Sequence, residues 1–314
     1  MGSRQVPLEE LEPDTFVVAG VPYDYASGSR PGARWGPRAI RQSSLYFSRF
    51  LHVAPNQGFV DVASGKGIPI AGNLPIVDLG DMDVYPMNLA QTMKSISNFV
   101  KRMVEANATP IILGGDHFVT YPCFQGYCEA FARKGTRGPS RIGYVQLDSH
   151  FDMWDDRPVW GKYSHGSTAR RIAEYIDPRN VLIAGVSGII DKEVWDFVQE
   201  NSVTVVTLNQ ILTEGLLPVL QRAVTELAAR VDSIYLSVDI DIVNAAFAPG
   251  TGATSLEGLS SSQLLQAIAL LAEYPVGALD VVEVAPNYDP SERTQRLAAA
   301  TIVQYILHKR AIVK

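Results

Sequence analysis

Two carboxylates and an imidazole occupy alternate positions in "VQLDSHFDMW", residues 145–154, as Asp148, His150 and Asp152 at the end of an apolar run. Charged groups are rarely buried without a partner, so the stretch asks for a counter-charge. Two more apolar runs end in the same way. "ILGGDH" finishes in Asp116 and His117, and "LSVDID" in Asp239 and Asp241. Residues two apart on a strand share a face. Alone, "GGDH" reads as an aspartate capping a helix and "DIDI" as a solvated edge; the conjunction of three such ends carries the argument. Four clustered carboxylates repel one another strongly, and two divalent cations would balance them. Carboxylates mixed with imidazoles, without thiolate, suit manganese, iron, nickel or zinc better than calcium or magnesium. A two-metal site can activate water near neutral pH.

These residues need a scaffold that brings separate strand ends together. Apolar runs at 16–24, 110–115, 141–148, 180–186, 203–208, 233–241 and 277–284 read as strands, several of them apolar at consecutive positions. Helical spacing fills 88–106, 119–134, 191–200, 216–230, 261–273 and 293–310. The alternation predicts an α/β fold, a mainly parallel sheet with helices on both sides. Ligands bind such sheets beyond the carboxyl ends of the strands, where the polar residues lie. No linker, repeat or low-complexity tract divides the chain, so a single domain spans 1–314, with 1–15 as an N-terminal extension.

Composition removes other classes. The chain has 314 residues, 46% of them hydrophobic, and a net charge of −6, with no basic stripe to meet nucleic acid. No apolar run approaches the ~20 residues that span a bilayer, and the N-terminus lacks the basic-then-apolar order of a signal peptide. A cytoplasmic location is expected. The two cysteines, Cys123 and Cys128, are too few for a structural zinc site and read as buried thiols.

"GGDH", "DSHFD", "SVDIDIVNAAFAPGTG" and "LDVVEVAP" resemble, in order and spacing, the four signatures of the ureohydrolases, the arginases and agmatinases. "GVPYDYASGSRPGARWGPRAIRQSS" is similar to the agmatinase branch in particular, and the resemblance runs from about 16 to 306. It implies an arginase-like three-layer α/β/α domain around an eight-stranded, mostly parallel sheet. It implies two divalent ions, Mn²⁺ first and Ni²⁺ as rival: His117, Asp148, Asp152 and Asp239 on one, Asp148, His150, Asp239 and Asp241 on the other. A metal-bridging hydroxide would attack the guanidinium carbon of a small guanidino substrate, releasing urea and an amine. Glu283 would grip the guanidinium, and His165 would move a proton. A homo-oligomer, trimer or hexamer, is expected.

Two departures stand out. Ser149 replaces the usual alanine of "DAHxD", and Asn244 with Ala245 replaces the usual Asp-Pro, which puts the rigidity of that loop in question. The loop 153–166 should face the substrate's tail. Trp154, Trp160, Asp155 and Asp156 would suit a cation or a compact methylated guanidine; Arg157 and Lys162 would suit a carboxylate. Agmatine is the first expectation, with guanidinobutyrate, guanidinopropionate and free or methylated guanidine as alternatives. A non-catalytic subunit of a mixed oligomer would have lost ligands, and a deacetylase-type amide hydrolase would bind one metal.

Overall fold

Strands of consecutive Val, Ile and Leu need cover on both faces, and the computed structural model supplies it. Residues 11, 14–51, 58–62, 65, 67–68, 75–133 and 141–312 are described. Of the expected N-terminal extension, residues 1–10, 12 and 13 lie outside them, as does position 134 at the end of one expected helix.

The strands are β1 (Phe16–Gly20), β2 (Phe59–Val60), β3 (Gly67–Ile68), β4 (Ile76–Asp81), β5 (Thr109–Leu113), β6 (Ile142–Leu147), β7 (Val181–Val186), β8 (Thr204–Thr207), β9 (Ser233–Asp239) and β10 (Val276–Val282). The helices are α1 (Gly36–Ser44), α2 (Leu89–Glu105), α3 (Thr120–Arg133), α4 (Thr168–Tyr175), α5 (Lys192–Glu200), α6 (Leu208–Glu214), α7 (Leu216–Ala228), α8 (Ser261–Ala272) and α9 (Arg293–Ile312). Eight strands form one sheet in the order β4-β1-β5-β10-β9-β6-β7-β8, every pairing parallel. β2 and β3 make a separate antiparallel pair. One core, with Val18, Leu113 and Leu236, packs under α1 and α6–α9; the other, with Val17, Ile112 and Tyr235, packs under α2–α5. The three-layer expectation holds.

β4 was not anticipated, because Asp78 and Asp81 interrupt its apolar pattern. Arg41 of α1 neutralises both, donating to Asp78 at 2.9 and 3.0 Å and to Asp81. The short helices α1, α4 and α6 also escaped the periodicity reading. α6 starts where a strand was expected to end, because Thr207 and Gln210 form a capping box there. The two cysteines are buried free thiols on α3. No helix among the described residues is long and apolar enough to cross a membrane.

α2 and α3 approach closely at Gly126, where an added Cβ would lie 2.1 Å from the backbone oxygen of Ser97. Gly→Ala within a helix ordinarily gains up to about 1 kcal/mol. Here overpacking reverses the sign, and Gly126→Ala should cost about 1–3 kcal/mol in urea denaturation. Unchanged or increased stability would show that α2 can move away freely.

Candidate metal centre and substrate pocket

The four neighbouring central strands β5, β10, β9 and β6 end side by side and carry the site. Apart from Asp239, the last residue of β9, the ligand candidates lie just past the strands rather than on them, which corrects the alternating-face expectation. β6 stops at Leu147, and Asp148 turns the chain by accepting the His150 N–H at 2.6 Å. Asp152 sits at φ +50°, a conformation costly for a residue with a Cβ and seen where surroundings enforce it. β9 stops at Asp239, whose Oδ1 accepts the Asp241 N–H at 2.9 Å and starts a 3₁₀ turn. Asp116 also departs from expectation. It stands at a helix start without capping it, and accepts instead from Ala26 N at 2.8 Å.

The loops nonetheless converge. His117 Nδ1 is 2.8 Å from Asp152, 3.1 Å from Asp148 and 3.2 Å from Asp239. His150 Nδ1 is 3.0 Å from Asp241 and 3.5 Å from Asp148. Two groups could each hold an ion, His117–Asp148–Asp152 and Asp148–His150–Asp241, with Asp148 in both. Asp239 reaches the first group, while its Oδ1 is engaged by the Asp241 amide. The fit to metal rests on His117 Nδ1, a buried atom with no hydrogen bond despite three carboxylate oxygens close by. Ligand atoms on bonds of ~2.1 Å to one cation lie about 3 Å apart. The spacing is that of donors facing a shared ion.

Electrostatics point the same way. Burial, with Asp241 and Asp148 nearby, pushes the Asp239 carboxyl well above the usual range. Burial and Asp148 push Asp241 up to about 6. Burial also raises Asp148, but the adjoining His117 and His150 imidazoles outweigh it and hold that group low. Asp241 first, then Asp148, drives the His150 imidazole strongly upward against desolvation. The cluster is short of positive charge.

Ser149 is more than a tolerated replacement: its hydroxyl donates to Asp241 Oδ1 at 2.9 Å. Asn244 braces its loop, donating to Leu256 O at 2.6 Å and accepting from Ala246 N at 2.8 Å. Sequence reasoning also missed Gly28, which donates to His165 Nε2 at 2.9 Å. The loop carrying it is held by Asp24, which accepts from Gly32 N at 2.7 Å, and by Asp116 at Ala26. "GSRPG" carried the signal of a turn, but nothing local to it names His165.

A cavity of about 280 Å³ opens onto this centre, lined by His150, Asp152, Asp239, Asp241, His165 and Glu283, and by Met153, Trp154, Trp160, Ile189, Ile190 and Ala253. Glu283, at φ +60°, accepts from His117 N at 2.9 Å and faces His165 Nδ1 at 3.3 Å, both on Oε1. The two tryptophans stack at 4.4 Å and 9°. They rest on glycines: an added Cβ at Gly28 would meet Trp160, and one at Gly166 would meet Trp154, each at 2.5 Å. The expected Asp155 contact is corrected. That carboxylate turns to the buried Arg171 at 2.6 Å and does not line the cavity. Arg157 is likewise held by Asp191 at 2.9 Å, and neither it nor Lys162 or Asp156 lines the cavity.

Burial lowers the His165 imidazole, but the Glu283 hydrogen bond and charge outweigh it and raise it to about 9. A proton on Nδ1 faces Glu283, whereas a second on Nε2 must displace the Gly28 amide; the carboxylate wins. In chelator-treated protein, His165 should titrate near 9, and near or below its ordinary value in Glu283→Gln. The folded pKa is raised, so this stabilisation is complete below ~6.5 and is lost as pH rises through about 9. Denaturation at low and high pH, with NMR titration, should show Glu283→Gln losing stability mainly below that window. An unchanged His165 titration would refute the pairing.

The chain matches the Arginase family model over residues 14–308. It is 32% identical to "Guanidino acid hydrolase, mitochondrial" of Homo sapiens, covering 91% of this chain and 76% of that protein. To "Agmatinase" of Halalkalibacterium halodurans it is 29% identical, covering 94% and 92%. The solved proclavaminate amidino hydrolase of Streptomyces clavuligerus superposes with TM-score 0.78 at 28% identity, covering 96% and 93%. With the match extending over the whole eight-stranded sheet and the four strand ends that carry the site, this chain belongs to the arginase family, hydrolases that act on the C–N bonds of amidines.

Proposed function

We propose that this chain hydrolyses a small guanidino compound to urea and an amine, with two divalent metal ions, Mn²⁺ first and Ni²⁺ as rival. The carrying observation is the unpartnered His117 Nδ1 among three carboxylate oxygens, two of which, from Asp152 and Asp239, belong to residues that line the cavity with the buried Glu283. His117, Asp148, Asp152 and Asp239 would hold one ion, and Asp148, His150, Asp239 and Asp241 the other. Bound there, the ions supply Lewis acidity and a water acidified toward neutral pKa. Glu283 offers a carboxylate to the guanidinium N–H groups, a charge-assisted pairing that also fixes orientation. Its Oε2 takes neither of the bonds made by His117 and His165. His165 passes a proton to the leaving amine or to solvent once Nε2 releases the Gly28 amide. Assembly into a trimer or hexamer belongs with this reading, and a monomer by light scattering would refute it.

The lining bears on the tail. Among its described residues, no lysine or arginine is present to meet a carboxylate, and every acid is a ligand candidate or Glu283. The agmatine expectation thereby loses its Asp155 partner, and the stacked tryptophans favour a short, uncharged tail such as that of a methylated guanidine. A panel of agmatine, arginine, guanidinobutyrate, guanidinopropionate, guanidine and methylguanidines, assayed for urea with Mn²⁺- and Ni²⁺-loaded protein, tests this. The compact guanidines should lead, and Trp154→Ala should broaden activity toward longer tails. Agmatine as best substrate would restore the first expectation; arginine would contradict the lining argument.

Metal analysis should find two ions per chain. Asp148→Ala should reduce kcat/KM by at least about a hundredfold, since changes outside the ligand shell alone cost 10–100-fold. One ion in fully active protein would refute the two-metal reading and favour the amide-hydrolase alternative.

A further inference from the structure

Below the metal centre lies a row of polar side chains where two covering helical layers call for apolar ones. Gln146 on β6 pairs in register with Ser237 on β9, and Ser237 with Asp280 on β10. All three are fully buried. Each lies on the side of the sheet that carries Tyr144 and Tyr235, under α3. Buried polar groups are costly unless each is satisfied; Asp280 bonds Ser237, Ser237 faces His117 above, and Gln146 bonds Asp148.

The protons can be counted. Asp280 Oδ1 accepts from Ser237 Oγ at 2.6 Å, and Oδ2 accepts from the Tyr235 hydroxyl at 2.8 Å. An ionised carboxylate is acceptor-only, and that is the form these two donors fit. Ser237 has one hydroxyl proton and gives it to Asp280. Its oxygen, 3.0 Å from His117 Nε2, is then left to accept. The proton of His117 therefore sits on Nε2, and Nδ1 presents its lone pair to the three carboxylates and any ion among them. A parallel link serves the shared ligand: Tyr144 donates to Gln146 Oε1 at 2.9 Å, and Gln146 Nε2 donates to Asp148 Oδ2 at 2.7 Å.

We propose that Ser237 and Asp280 are positioning residues that set the tautomer of His117, through the chain Asp280–Ser237–His117, so that Nδ1 is the metal-binding atom. This rests on the two-metal reading of the centre, and outer partners of this kind commonly govern metal affinity by 10–100-fold. Neither residue lines the cavity; Ser237 opens "SVDIDIVNAAFAPGTG" and Asp280 lies in "LDVVEVAP", but residue type and spacing assign neither of them a role.

The test is Mn²⁺ binding by equilibrium dialysis on the full chain, with ¹⁵N NMR of histidine-labelled protein loaded with diamagnetic Zn²⁺. Wild type should bind two ions, with the proton of His117 on Nε2. Ser237→Ala should weaken one Mn²⁺ by about 10–100-fold and leave the other near its wild-type affinity. Asp280→Leu frees the Ser237 proton to point at Nε2, and should weaken the same ion at least as much. Tyr127→Phe removes a buried hydroxyl that bonds Ser233 at 2.6 Å, outside the chain; both ions should stay. If Asp280→Leu fails to fold by circular dichroism, Ser237→Ala decides alone. Folded Ser237→Ala with two wild-type affinities would overturn the proposal, as would a proton on Nδ1 in the Zn²⁺-loaded wild type or equal weakening by Tyr127→Phe. Wild type that takes up no metal would overturn the centre itself, and the chain of bonds with it.

Discussion

Like charge held close together in a dry place is the constraint on which the rest of this molecule depends. Asp148, Asp152, Asp239 and Asp241 converge, with Asp116 and Glu283 buried nearby. Two unit charges 4 Å apart interact by about 4 kcal/mol even at an effective dielectric near 20. No arrangement of apolar residues offsets several such pairs. Either the imidazoles take protons and some carboxyls keep theirs, as the raised His150 and Asp239 indicate, or cations take that place. Divalent ions would resolve the conflict, since two groups of these side chains lie close enough to hold one each.

The sheet order answers that constraint. In β4-β1-β5-β10-β9-β6-β7-β8 the pairs β6-β7, β7-β8 and β9-β10 follow the chain, while crossovers bring the ends of β5, β10, β9 and β6 into adjacent places. Parallel pairing sends all four ends to one edge, where loops can bend beyond the strands. The left-handed backbones of Asp152 and Glu283 belong there, since strained residues survive where surroundings over-determine them. The loop after β1 closes the structure from above. Asp24 and Asp116 hold it from beneath, so that its Gly28 reaches His165 and seats Trp160. One short segment thus touches both His165 and the apolar wall.

The chemistry at the strand ends was legible from residue type and spacing, because burying Asp and His demands a partner wherever it occurs in a chain. Layering was legible for the same kind of reason, since runs of Val, Ile and Leu can only be satisfied between two helical layers. The edge strand β4 was hidden because its charges are cancelled by Arg41, which lies far away in sequence. Asp155 was misread because loop charges look alike until a partner is known, and its partner is the buried Arg171.

By itself, then, the sequence determined the fold class and marked the carboxylates and imidazoles that need a counter-charge, through properties that each residue carries locally. Tertiary structure alone decided which groups meet: Gly28 with His165, Ser149 with Asp241, Ser237 with His117 and Asp280, and two tryptophans with two glycines. Those pairings depend on strand order and register. Hydrophobic periodicity is the same for every strand order, so it reports which face of a strand is buried and not which strand lies beside it.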